Sequence, residues 1–170
     1  MEERPFRAAS APSRRKRALA PVSRSPSQRS VVRSVIITEM PGLLIFTPLE
    51  RAVLDSICAM HPADRSALVA QLSTAVFDRR ENTGCGFFTH FAVDRSCSPP
   101  IGGKRLRDGP AAQIEGVKHG FGFILWLEEG YADCLEGYNW GEGDTTGLDL
   151  NSLKFQLAAR PEDLQTNLHH

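Results

Sequence analysis

FGFILWLEEGYADCLEGY, residues 121–138, is the stretch that decides the fold. Phe121, Phe123, Leu125 and Leu127 fall on one side of an extended chain, with Ile124 and Trp126 on the other. A period of two over so many apolar residues is the mark of a strand. Apolar character on both sides predicts a central strand covered on both faces. Glu128-Glu129-Gly130 then reads as a tight hairpin, because glycine takes a positive φ without a Cβ penalty. Tyr131–Tyr138 is the returning strand.

Working outward, Gly86–Val93 is a second aromatic-rich strand. Ala111–Val117 is a third, and Ala75-Val76-Phe77 is either a short strand or a helix end. Leu153, Phe155 and Leu157 suit an edge strand or a helix. Glu81-Asn82-Thr83-Gly84 reads as a turn. Residues 94–110, rich in Pro and Gly, read as a long exposed loop carrying the basic cluster Lys104-Arg105-Leu106-Arg107.

Upstream, Thr47-Pro48-Leu49-Glu50 is a helix start. The Thr47 hydroxyl can cap the helix, Pro48 suits the first turn, and Glu50 can reach back to the cap amide. Leu49, Val53, Ile57 and Met60 then share a helical face, and Pro62 ends the run. Ala63–Ser73 predicts a second helix. Helices first and strands afterwards predict an α+β fold, a helix pair on a mainly antiparallel sheet of four to five strands. The expected domain is 40–158, with 159–170 a loose tail.

The formal net charge of zero hides an asymmetry. Residues 1–35 hold nine Lys/Arg against two Asp/Glu, and the rest holds eleven against eighteen. Residues 1–39, with Arg14-Arg15-Lys16-Arg17, read as a disordered basic extension. Met40, directly before Pro41-Gly42-Leu43-Leu44-Ile45-Phe46, is an alternative start that would leave that arm outside the native chain. The acidic body disfavours nucleic acid as its partner, since phosphates would be repelled. No apolar run reaches the ~18 residues that span a membrane.

Cys58, Cys85, Cys97 and Cys134 are separated by 27, 12 and 37 residues, which fits neither a zinc knuckle nor a redox pair. They read as reduced thiols of a cytoplasmic protein. No cofactor or metal site is expected. Gly116–Phe123 carries glycines, but it leads into a strand and does not open a helix, so no phosphate cradle follows. Asp144–Asp149 lacks the spacing of a calcium loop.

Two candidate groups could carry chemistry. Cys85 lies between Gly84 and Gly86 and would need His90 or His119 as its base. His90 and His119 could become neighbours across a sheet, with Glu81, Glu115 or Glu136 completing an acid–base pair. Neither constellation is complete in the sequence. The acidic residues Glu128, Glu129, Asp133, Glu136, Glu142, Asp144 and Asp149 could instead face a basic partner protein. A non-catalytic binding domain is therefore the leading expectation, and a small enzyme or ligand-binding protein using His90 and His119 the alternative.

The blocks Thr47–Leu54, Glu81–Phe91 (ENTGCGFFTHF), Gly116–Gly130 (GVKHGFGFILWLEEG) and Asp133–Gly141 (DCLEGYNWG) resemble small bacterial α+β domain proteins with the same blocks. The resemblance spans roughly Phe46 to Gly141. It implies a chain that begins shortly before the first helix, and it carries over no activity and no catalytic residue.

Overall fold

A computed structural model of the chain describes residues 45–165. The readings made on residues 1–39, on Met40 and on the last five residues lie outside it. Helix α1 spans Pro48–Met60 and α2 spans Arg65–Ser73. Six strands follow: β1 Val76–Asn82, β2 Gly86–Ala92, β3 Leu106–Ile114, β4 Phe121–Glu128, β5 Tyr131–Asn139 and β6 Phe155–Ala158. A short helix, α3, occupies Pro161–Gln165. The strands form one antiparallel sheet in the order β1-β2-β5-β4-β3-β6. The fold is α+β. The sheet has six strands where four to five were expected.

The extra strand length comes from segments that local signals misplace. Glu81 and Asn82 belong to β1, and the turn is Thr83–Cys85. β3 begins at Leu106 and runs through Gly109 and Pro110, where a bulge between Asp108 and Ala111 absorbs one residue. Proline is tolerated at such an irregularity because the ladder is already broken there. Arg107, expected in an exposed basic cluster, is buried. Its guanidinium donates to Asp64 Oδ2 at 2.7 Å and to the carbonyls of Gly102, Lys104 and Leu106. One side chain thereby ties the preceding loop to the start of α2.

Helix α1 begins as its sequence demands. The Glu50 amide donates to Thr47 Oγ1 at 3.3 Å, and the Thr47 amide donates to Glu50 Oε2 at 2.7 Å. The Glu50 carboxylate is also completely buried. It takes two charge-assisted bonds from Arg80 on β1, both 2.8 Å, and one from the Thr89 hydroxyl on β2 at 2.5 Å. A buried carboxylate needs this degree of pairing, because burial without it costs several kcal/mol.

Leu49, Val53, Leu54 and Ile57 of α1, with Leu68 and Leu72 of α2, pack on one face of the sheet. That face presents Phe87 and Phe91 of β2, Phe121, Phe123 and Leu125 of β4, and Leu135 of β5. Gln71 of α2 is fully buried. It donates to the Gly130 carbonyl and accepts from the Ala132 amide, which seats α2 on the β4–β5 hairpin. The hairpin turn uses Glu129 at φ 52° and Gly130 at φ 86°, the pair of positive values a type I′ turn requires.

Candidate functional site: the open face of the sheet

β4 is central, but among the described residues only one of its faces is covered. Among the described residues no helix lies over the second face across β2, β5 and β4. Register places the side chains of this face in rows. One row runs Arg79, His90, Cys134, Trp126 and Leu106; the next runs Glu81, Phe88, Glu136, Ile124 and Asp108. Tyr138 follows opposite Gly122, and Trp140 lies beyond it. Trp126, Tyr138 and Trp140 are 36–37% exposed, and Phe88, His90, Ile124 and Glu136 are half-buried.

Gly122 shapes the patch by having no side chain. A Cβ there would fall 2.5 Å from the Tyr138 hydroxyl oxygen and 2.8 Å from Trp140 Nε1. Both rings therefore lie down over the β4 backbone. Tyr131 lies at the far end of the same face, opposite Glu128, with the Arg95 guanidinium 5.2 Å from its ring centre. The chain has two tryptophans and two tyrosines. All four sit on the open face, whereas the rings of the covered face are phenylalanines. Rings with a polar edge suit a surface that is apolar and wet at once.

The candidate residues from the sequence divide into groups. Glu81, His90 and Glu136 share the open face. Phe88 and Cys134 separate them in the ladder, so they are neighbours without being joined by hydrogen bonds. The His90 ring stacks on Phe88, with centres 6.3 Å apart. Glu81 accepts from Arg79 at 2.6 Å, and that bond holds its carboxyl below the usual range, with His90 a lesser cause. His119 stands elsewhere, on the β3–β4 connection against Gly141. Seven positions along the strand separate it from Trp126, the register neighbour of His90's row, or roughly 20 Å at strand rise. Glu115, on the same connection, pairs with Lys154 at 3.1 Å.

Cys85 is exposed in the β1–β2 turn, five residues along β2 from His90. Asn82 Nδ2 donates to the Thr145 carbonyl, and the Thr145 amide donates to the Gly84 carbonyl, so this turn is stitched to the 140s loop. All four cysteines are free. Burial is the first cause that pushes the Cys134 thiol up to about 12 and the Cys58 thiol up to about 11. Among the described residues no cluster of three or more His, Cys, Asp or Glu side chains is placed to hold a metal ion, and no helix is long and apolar enough to cross a membrane.

A cleft of about 430 Å³ opens beside His90, lined by Asp78, Arg79, Phe91, Ala92 and Asp133 as well. Asp133 is the residue at the bulge between β4 and β5, which aligns Trp126 with Cys134 and then Leu127 with Ala132. The sequence offered no sign of that bulge. A larger hollow, about 740 Å³, lies at the far end of the sheet between residues 113–118 and 154–156. It opens broadly to solvent and carries no histidine or cysteine.

No family model, curated protein or solved structure is matched by this chain.

Proposed function

We propose that this chain is a small, non-catalytic binding domain of the bacterial cytoplasm, and that it acts by presenting its open sheet face to another protein. The single observation that carries the reading is the gathering of every Trp and Tyr of the chain on the face that no helix covers among the described residues. Trp and Tyr dominate the energetic centres of protein interfaces, because they bring large area with few rotatable bonds and a polar edge. The four free cysteines fit a reducing compartment.

A second reading, a ligand-binding or acid–base site on His90, draws support from the cleft that gathers His90, Asp78 and Asp133. In that reading His90 acts without His119. The two readings part in one experiment. The full chain is used to capture proteins from cells that make it natively, beside the variants Trp126→Ala, His90→Ala and Lys154→Glu. The expected result is a partner retained by the wild type, His90→Ala and Lys154→Glu, and lost with Trp126→Ala. A partner held equally by Trp126→Ala, or no partner at all, overturns the binding-face reading.

A further inference from the structure

Glu136 occupies the middle of the open face. Phe88 flanks it on β2 and Ile124 on β4. Tyr138 is its neighbour along β5 on the same side, and His90 and Trp126 lie on the diagonals. One carboxylate oxygen accepts from Trp126 Nε1 at 2.8 Å. Among the described residues no Lys or Arg forms an ion pair with it.

Among the described residues, the cations at the ends of this face are already engaged. Arg79 is held between Asp78 and Glu81, and Arg95 between Glu128 and Glu129. The middle of the face therefore carries a half-buried carboxylate with no ion-pair partner among the described residues. A half-buried carboxylate loses hydration that one indole bond replaces only in part and that a partner cation would restore more fully. The rings around it present negative π-faces, which attract the same kind of group.

Resting on the reading of this face as a protein-binding surface, we infer that Glu136 is the receptor for an arginine side chain of the partner. The guanidinium pairs with the Glu136 oxygen that Trp126 leaves free. Its plane stacks on the rings of Trp126 or Tyr138, and its apolar stem lies on Ile124 and Phe88. Arginine suits the site better than lysine, because a planar, weakly hydrated cation can stack and ion-pair together. The surrounding charge agrees: residues 45–165 hold seventeen Asp/Glu against eleven Lys/Arg, which steers basic segments toward the domain. A second copy is a poorer occupant. A two-fold contact centred on the patch repeats the same surface on both partners and would bring two Glu136 carboxylates together.

The test uses the full chain and two peptides, acetyl-Leu-Arg-Leu-amide and its counterpart with citrulline, which is neutral and nearly isosteric. Tryptophan emission is the readout, because both tryptophans lie on this face. The arginine peptide should give a saturable change, and the citrulline peptide should bind about tenfold more weakly, the scale of a partly desolvated cation–π and ion-pair contact. Glu136→Gln, with an unchanged melting temperature, should remove that discrimination. Equal binding of the two peptides that Trp126→Ala abolishes would overturn the arginine site and leave the binding face standing. No saturable change with either peptide overturns the arginine site, and Trp126→Ala retaining the native partner would bring down the face as well. Emission that shifts with protein concentration alone, with a doubled mass by light scattering, would assign the face to a second copy and overturn the proposal.

Discussion

The two faces of one sheet are built from the same strands, yet they use different side chains for different ends. On β4, Phe123 and Leu125 point into the helices and are almost wholly buried, while Ile124 and Trp126 between them look outward. The covered face is closed by shape, with phenylalanine and aliphatic side chains against α1 and α2. The open face keeps rings with polar edges, a histidine and a carboxylate. Apolar alternation alone therefore does not distinguish a core from a surface built to be covered later. Tryptophan and tyrosine mark the open face, although Phe88 shares it.

The sharpest way to break the comparison is to truncate one ring on each side of β4. Phe123→Ala should cost about 3–5 kcal/mol, since it removes a large buried side chain and leaves a cavity. Chemical denaturation would measure it. Arg80→Ala comes next. It strands the buried Glu50 carboxylate and should cost about 3 kcal/mol. Arg80→Lys should recover only part of that, because an ammonium cannot bond both carboxylate oxygens side by side.

Alkaline pH compares the faces through their thiols. Cys58 lies in the core and Cys134 on the open face, and both are buried, with folded values raised to about 11 and about 12 from 9.0. A raised folded value favours the neutral thiol. This stabilisation is complete below pH 9, falls as unfolded thiols ionise, and is gone near pH 12. Thermal melts from pH 8 to 11 should show a decline that Cys58→Ala and Cys134→Ala each reduce. If only Cys58→Ala does so, the open face around Cys134 is wetter than its geometry implies. The smallest expected effect is that of Trp126→Ala on stability, within about 0.5–1 kcal/mol, the range of surface positions. A loss as large as that of Phe123→Ala would erase the distinction between the faces.

Much of this was legible in the residues themselves. The Thr47–Glu50 cap, the Glu128–Gly130 hairpin and the alternation of Phe121–Leu127 are local chemistry, and they stand where their sequence puts them. Three things were not legible. Alternation assigns Ile124 and Trp126 to the second face but cannot say whether a layer covers it. The strand through Gly109 and Pro110 contradicts local propensity, and its pairing with β4 and the buried Arg107 prevail. The grouping of Glu81, His90 and Glu136, with His119 remote, follows from ladder register, a property of strand pairing that no single strand encodes.

Glu50 has one more consequence. The first turn of a helix is ordinarily among the easiest parts of a protein to open, because its amides lack intrahelical partners. Here the capping carboxylate is also bound by Arg80 and Thr89, thirty and thirty-nine residues away in the chain. Fraying the start of α1 would release both side chains from a buried charge. The beginning of the helix and the β1–β2 hairpin are thus one cooperative unit, opened together or not at all.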